Sequence, residues 1–136
     1  MQWPSDWRTR MAALADALNA HDFEAVGRAP LDPEVEWRSV LAGLEGETYR
    51  GAEGLREWSE NVDAIWDDFR LDLSELHEAD ESRTVTVYRI TGRAKESGVP
   101  LDARIALVWT WRCGKVCHIV SYTNTHEALE AVGLRV

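Results

Sequence analysis

The spacing of apolar residues changes once along this chain, and no other feature limits its possible folds so strongly. Up to about residue 69, apart from a short strand pattern at 35–40, apolar residues recur every three or four positions, as on one face of a helix. From there onward they alternate with polar residues, as along a strand with one buried face. Helices followed by a long antiparallel run predict a single α+β domain over residues 1–136, with the helices packed on one face of a bent sheet.

The first part of the chain predicts three helices. In the first, Met11, Leu14 and Leu18 form one apolar stripe, and Asp6 can cap the N-terminus. A short second helix is expected at about 22–26. The third begins at about residue 51, and its apolar positions predict an amphipathic helix: Leu55, Trp58, Val62, Ile65, Trp66 and Phe69.

The second part of the chain predicts an antiparallel meander. Its last three strands are expected at 84–96, 101–112 and 116–124, which are rich in β-branched and aromatic residues. The short turns at 97–98 and 113–114 separate them. A final short helix follows the last strand.

The register of the last two strands determines which side chains reach the interior. If the turn between them has two residues, Trp109 faces His118 and Ile105 faces Tyr122, and all four share one face with Asn124. We assign this bulky face to the concave side, towards the helices. The assignment depends on the turn, because a register one residue different would exchange the two faces.

An apolar face with a few polar groups is typical of a small-molecule site. His118 is the candidate general base, because imidazole titrates near neutral pH, and Tyr122 is the candidate donor to a carbonyl or enolate oxygen. The alternative is a dry core in which these polar groups are satisfied by neighbours and His118 is inert. The residues expected to contact a ligand are Trp37, Trp58, Trp66, Tyr88, Trp109 and Asn124.

Charge and sequence pattern disfavour several kinds of partner. The formal charge of −9 disfavours nucleic acid and anionic lipid, and no apolar run reaches the roughly 20 residues that span a bilayer. The N-terminus has no signal segment, so a cytoplasmic protein is expected. No phosphate loop, metal-ligand spacing or nucleophile elbow occurs, so no cofactor is implied, and Cys113 and Cys117 are expected to be reduced thiols.

Short segments in a fixed order resemble a SnoaL-like domain of the nuclear transport factor 2-like superfamily. The resemblance implies a conical α+β barrel with a pocket between curved sheet and helices, and a homodimer through the outer sheet face, where Val108 and Ile119 are expected. The matching segments are DPEVEW (32–37), YRG (49–51), SGV (97–99), VWTW (108–111), GKV (114–116), YTN (122–124), EALEA (127–131) and GL (133–134).

The resemblance leaves the function open, because the superfamily includes ketosteroid isomerases, polyketide cyclases, scytalone dehydratases, limonene epoxide hydrolases and non-catalytic binding modules. Trp37 stands where the isomerases carry a carboxylate base, and Asn124 where the cyclases carry an acid. Neither can take up a proton at these positions.

Three functions remain. The first is a cofactor-independent isomerase, cyclase or dehydratase acting on an apolar carbonyl or polycyclic compound. The second is a module that binds a hydrophobic small molecule without transforming it. The third is a structural domain whose cone is filled by its own side chains, which the seven tryptophans make feasible.

Overall fold

The computed structural model describes residues 1–41 and 43–134 and confirms the α+β class. Two helices come first, a short hairpin and a third helix follow, and a long antiparallel run and a final short helix complete the order. The elements are α1 (Trp7–Asn19), α2 (Phe23–Val26), β1 (Glu36–Arg38), β2 (Thr48–Arg50), α3 (Gly51–Ile65), β3 (Trp66–Glu78), β4 (Arg83–Ala94), β5 (Pro100–Arg112), β6 (Lys115–Tyr122) and α4 (Thr125–Ala131).

Strands β3 to β6 form one antiparallel sheet in chain order, which confirms the predicted meander. Strands β1 and β2 form a separate antiparallel hairpin. Among the described residues, a single parallel bridge, Leu31 to Val116, joins the segment before β1 to β6. The cone implied by the family resemblance is therefore open along the seam between β1 and β6.

Helices α1 and α3 pack on the inner face of this sheet. The predicted stripe of α1 is buried, with Met11 fully enclosed. Asp6 does not cap α1 as expected, because its carboxylate accepts from Arg10 Nε at 2.9 Å instead. Helix α3 ends before Trp66, which has extended backbone and begins β3. Helical and strand spacing overlap at that point, and the strand prevails.

Helix α4 lies on the opposite face, so the prediction that the helices pack on one face is wrong for α4. An outward-facing apolar patch of β4 and β5 is covered by residues of α4 and its C-cap: Ala128, Leu129 and Val132. Both faces of β4 are thus buried, including the part of the strand along which valines and threonines alternate. The patch consists of Val85, Val87, Ala106 and Val108.

The register predicted for β5 and β6 is wrong beyond the first two pairs. The turn has two residues, Cys113 and Gly114, both with positive φ, as type I′ turns require. A β-bulge follows at Cys117, after which Trp109 pairs with Ile119 instead of His118. Because a bulge adds one residue to one strand, every later side chain changes face.

The bulge and helix α4 together remove the support that the sequence offered for an outer-face homodimer. Ile119 faces the interior and is 5% exposed, and Val108 is covered by α4. Both residues are therefore buried within the chain.

Candidate functional site

An apolar cavity of about 60 Å³ lies between the helices and the inner face of the sheet. We call it the inner cavity. Helices α1 and α3 close one side, strands β3 to β6 the other, and the chain from β1 onward forms an end. Its lining consists of Leu14, Ala15, Leu18, Trp37, Ser39, Val40, Leu41, Leu55, Trp58, Leu71, Tyr88, Ile105, Leu107, Trp109 and Ser121.

Four of the six residues predicted to contact a ligand line the inner cavity. Trp37 stacks on Tyr49 with ring centroids 5.8 Å apart, which holds its ring against the hairpin. Trp58 is half-buried and donates from Nε1 to the Ser39 hydroxyl at 3.3 Å. Tyr88 and Trp109 are buried on β4 and β5.

A chain of buried hydrogen bonds ends at Tyr88. Trp109 Nε1 donates to Thr86 Oγ1 at 2.7 Å, and Thr86 Oγ1 donates to Tyr88 Oη at 3.0 Å. Burial raises the pKa of Tyr88 to about 12, although the Thr86 hydroxyl acts in the opposite direction. Tyr88 is therefore protonated at neutral pH and available as a hydrogen-bond donor.

The lining of the inner cavity has one ionisable side chain, Tyr88, within the described parts of the chain. Carboxylates, imidazoles and ammonium groups are missing from that lining. A neutral phenol is a poor general base, because a base needs a pKa near the working pH. The inner cavity can enclose an apolar molecule and donate a hydrogen bond to it.

His118 and Tyr122, predicted as a catalytic pair inside the cone, lie on its outer face instead. The bulge at Cys117 turns both away from α1 and α3. His118 is exposed, and Tyr122 packs against the cluster beneath α4. Within residues 1–41 and 43–134, His118 lines an open groove that Tyr122 does not line.

The other two predicted contact residues also lie away from the inner cavity. Asn124 is exposed and caps α4, where its side chain accepts from the backbone N–H groups of His126 and Glu127. Trp66 is half-buried on β3, and its indole N–H has no partner among residues 1–41 and 43–134. Asn124 therefore has a structural role, because its side chain satisfies backbone N–H donors at the start of α4.

An open groove of about 880 Å³ lies along the seam between the β1–β2 hairpin and β6, and we call it the outer groove. It shares Trp37, Ser39, Val40 and Ser121 with the inner cavity. His118, Glu34, Glu36 and Arg38 contribute to it. Glu34 and Glu36 both pair with Arg50 on β2. These charges are exposed, so solvent screens them, and their pairing contributes little to the stability of the fold.

Sites for other ligands are limited in the described parts of the chain. They hold no group of three His, Cys, Asp or Glu side chains arranged to bind a metal ion. None of their helices has the length and apolar character needed to cross a membrane. Cys113 and Cys117 are free cysteines, and Cys117 Sγ donates weakly to the Thr110 carbonyl at 3.5 Å.

Sequence reasoning did not identify Ser39, Thr86 and Ser121. The predicted register, which lacks the bulge, places Ser121 on the outer face, whereas in the structure it pairs with Leu107 and lines the inner cavity. Thr86 could have been found from the alternation of Thr84, Thr86 and Tyr88 along β4, which places both threonines on the face of Tyr88. Ser39 follows a three-residue strand, and no pattern in the sequence marks it.

The comparisons with known proteins agree with this fold. The family model of the SnoaL-like domain matches residues 11–119. No match was found among curated proteins.

Several solved structures are similar over almost the whole chain. An NTF2-like protein from Burkholderia thailandensis is 28% identical, with 90% of this chain and 94% of that chain covered and a TM-score of 0.71. A protein from Catenulispora acidiphila with a ketosteroid isomerase-like fold, in complex with trimethylamine, is 17% identical, with coverage of 97% and 95% and a TM-score of 0.69. TerC, co-crystallized with polyporic acid, is 23% identical, with coverage of 91% and 95% and a TM-score of 0.69.

Proposed function

The chain belongs to the SnoaL-like domain family, and we propose that it binds an apolar small molecule in the inner cavity. One observation carries this proposal: the helices and the sheet enclose an apolar space that is lined by Trp37, Trp58, Tyr88 and Trp109 and has few polar groups. Ligand sites in proteins have this composition. Two proteins of similar fold hold small molecules, which supports the proposal.

The size of the inner cavity limits the ligand. Its volume of about 60 Å³ is smaller than the roughly 150 Å³ of an engineered apolar cavity that takes up benzene. A ring-sized ligand therefore requires side chains to move. Trp58 is the best placed to move, because it is half-buried. Its ring meets that of Phe69 edge to face, with the ring centroids 5.8 Å apart.

The alternative is a structural domain whose own side chains fill the cone. Ala15 offers a direct test, because it is buried on α1 and lines the inner cavity. Ala15→Leu fills part of that space, whereas Ala12→Leu makes the same change at an exposed position of the same helix.

Saturation-transfer NMR with benzene measures the outcome. We expect benzene to bind the wild type and Ala12→Leu equally, and to bind Ala15→Leu at least fivefold more weakly. Circular dichroism checks that all three proteins are folded. Absence of binding to the wild type, with the fold intact, would favour the structural alternative.

A cofactor-independent enzyme of the isomerase or cyclase type is the second candidate. It is supported by the fold and by His118, whose imidazole is accessible in the outer groove. In this case a substrate carbonyl binds in the outer groove, with His118 as the base. His118→Gln should then abolish turnover without unfolding the protein, while His126→Gln, at another exposed histidine, should leave it unchanged. Equal turnover in both variants would exclude this role.

A further inference from the structure

Three buried side chains form a line of donors that runs towards the inner cavity. Trp109, Thr86 and Tyr88 are 2%, 0% and 4% exposed, so water does not compete for their hydrogen bonds. The two heavy-atom distances, 2.7 Å from the indole to the threonine and 3.0 Å from the threonine to the phenol, are normal for hydrogen bonds. Tyr88 and Trp109 also line the cavity.

The protons in this line can be counted. An indole N–H can only donate, so Thr86 is the acceptor for Trp109. Thr86 then uses its own proton towards Tyr88, whose oxygen is the acceptor. The proton of Tyr88 remains, and no residue within 1–41 and 43–134 accepts it. The line thus ends in a donor without an acceptor.

The other two hydroxyl groups of the cavity, Ser39 and Ser121, do not supply that acceptor, because neither is hydrogen-bonded to Tyr88 in the described parts of the chain. The Ser39 oxygen already accepts from Leu41 N at 3.2 Å and from Trp58 Nε1 at 3.3 Å. The described lining contains no charged side chain that would recognise an ion. An enclosed donor without a partner is costly, so a molecule that brings an acceptor gains affinity.

We infer that the inner cavity selects uncharged apolar molecules that carry a hydrogen-bond acceptor oxygen, such as a ketone, and that Tyr88 donates to this oxygen. This inference rests on the proposed function, because it concerns the ligand of the same cavity. Tyr88 is here a binding and specificity-determining residue. Its raised pKa agrees with the donor role, because the phenol keeps its proton at neutral pH.

A second tryptophan–threonine pair provides a matched control. Trp111 Nε1 donates to Thr84 Oγ1 at 2.9 Å, one step further along the same two strands. Both residues are buried, and neither lines the inner cavity. Thr84→Val and Thr86→Val therefore remove the same kind of hydrogen bond, but only the second removes the donor to Tyr88.

The test compares two ligands of nearly identical shape, cyclopentanone and methylenecyclopentane. Their dissociation constants are measured by NMR titration for the wild type, Tyr88→Phe, Thr86→Val, Thr86→Ser and Thr84→Val. We expect the wild type to bind the ketone about three- to tenfold more tightly than the alkene, the range of one neutral hydrogen bond. Tyr88→Phe should lose this preference, because it removes the donor. Thr86→Val, Thr86→Ser and Thr84→Val should keep it, because each leaves the Tyr88 hydroxyl in place.

Infrared spectroscopy of the bound ketone provides a readout that packing alone does not change. A hydrogen bond lowers the frequency of the carbonyl stretch, so we expect a lower frequency in the wild type than in Tyr88→Phe. Equal binding of both ligands to the wild type, or a ketone preference that survives in Tyr88→Phe, would overturn the inference but leave apolar binding intact. Failure of both ligands to bind would overturn the proposed function as well.

Discussion

The two tryptophan–threonine pairs show why β4 carries polar residues on its inner face. Each indole N–H is removed from water and needs an acceptor, and an unpaired one costs about 1–3 kcal/mol. Thr84 and Thr86 supply these acceptors to Trp111 and Trp109. Threonine at both positions therefore allows large aromatic groups to be buried on β5.

Tyr88 leads to a prediction for alkaline pH. Its pKa is raised to about 12 by burial, from an ordinary value near 10 in the unfolded chain. The folded protein therefore holds this proton more tightly, and the resulting stabilisation is complete below about pH 10 and lost as the pH rises towards 12. We expect the free energy of unfolding of the wild type to fall by about 2–3 kcal/mol more than that of Tyr88→Phe over this range.

Urea denaturation at a series of pH values measures this difference. The other ionisable groups are common to both proteins and cancel in the comparison. A constant difference between the two proteins from pH 9 to pH 12 would show that the Tyr88 phenol is exposed to solvent.

Individual residues were predictable where a local pattern placed them. Trp37 lies at the centre of a short strand, and Trp58 lies on the apolar stripe of α3, so strand alternation and helical spacing were enough to orient them. His118 could not be placed in this way. Its orientation depends on the bulge at Cys117, and nothing in the adjacent sequence indicates an extra residue there.

At the scale of elements, the close packing of α3 on the β1–β2 hairpin forms one end of the inner cavity. Gly54 makes this approach possible. A Cβ atom at that position would lie 3.0 Å from Tyr49 Cβ and 3.2 Å from Trp37 Cη2. Trp37 is thus held between the helix and the ring of Tyr49.

Gly54→Ala should therefore destabilise the protein. In an exposed helix interior, this change gains about 1 kcal/mol. Here the added methyl group should overpack the contact with the hairpin and lower the free energy of unfolding by about 1–3 kcal/mol. Urea denaturation measures this change. Gly27→Ala is the control, because its Cβ would make ordinary contacts of 3.4 Å and 3.5 Å with backbone oxygens, and we expect a change within about 0.5 kcal/mol. Equal stability of both variants would mean that the hairpin does not pack tightly on α3.

Most helices and strands could be predicted because their signals are local. The meander followed from alternation and short turns, and the two-residue turn at 113–114 was placed correctly. The position of α4 could not be derived, because both faces of β4 are buried and the alternation of valine and threonine does not show which face meets which helix. The seam between β1 and β6 depends on contacts between distant parts of the chain, which periodicity does not report.

At the scale of the whole molecule, helices on both faces of the sheet divide the apolar residues into two clusters. One lies beneath α4 and consists mainly of valine and alanine side chains, with Leu129. The other contains the tryptophans and surrounds the inner cavity. An enclosed space next to bulky, rigid rings is what the proposed binding function requires, because such rings cannot collapse into it without changing their rotamers.

The position of a bound ligand among the tryptophans tests this account most directly. The seven indole N–H groups give separate signals in a ¹H–¹⁵N spectrum of the labelled protein, which is recorded during a benzene titration. We predict that the signals of Trp37, Trp58 and Trp109 shift, because these residues line the inner cavity, and that those of Trp3 and Trp7 do not. If no signal shifts, or if Trp3 and Trp7 shift as much as the others, the inner cavity is not the binding site.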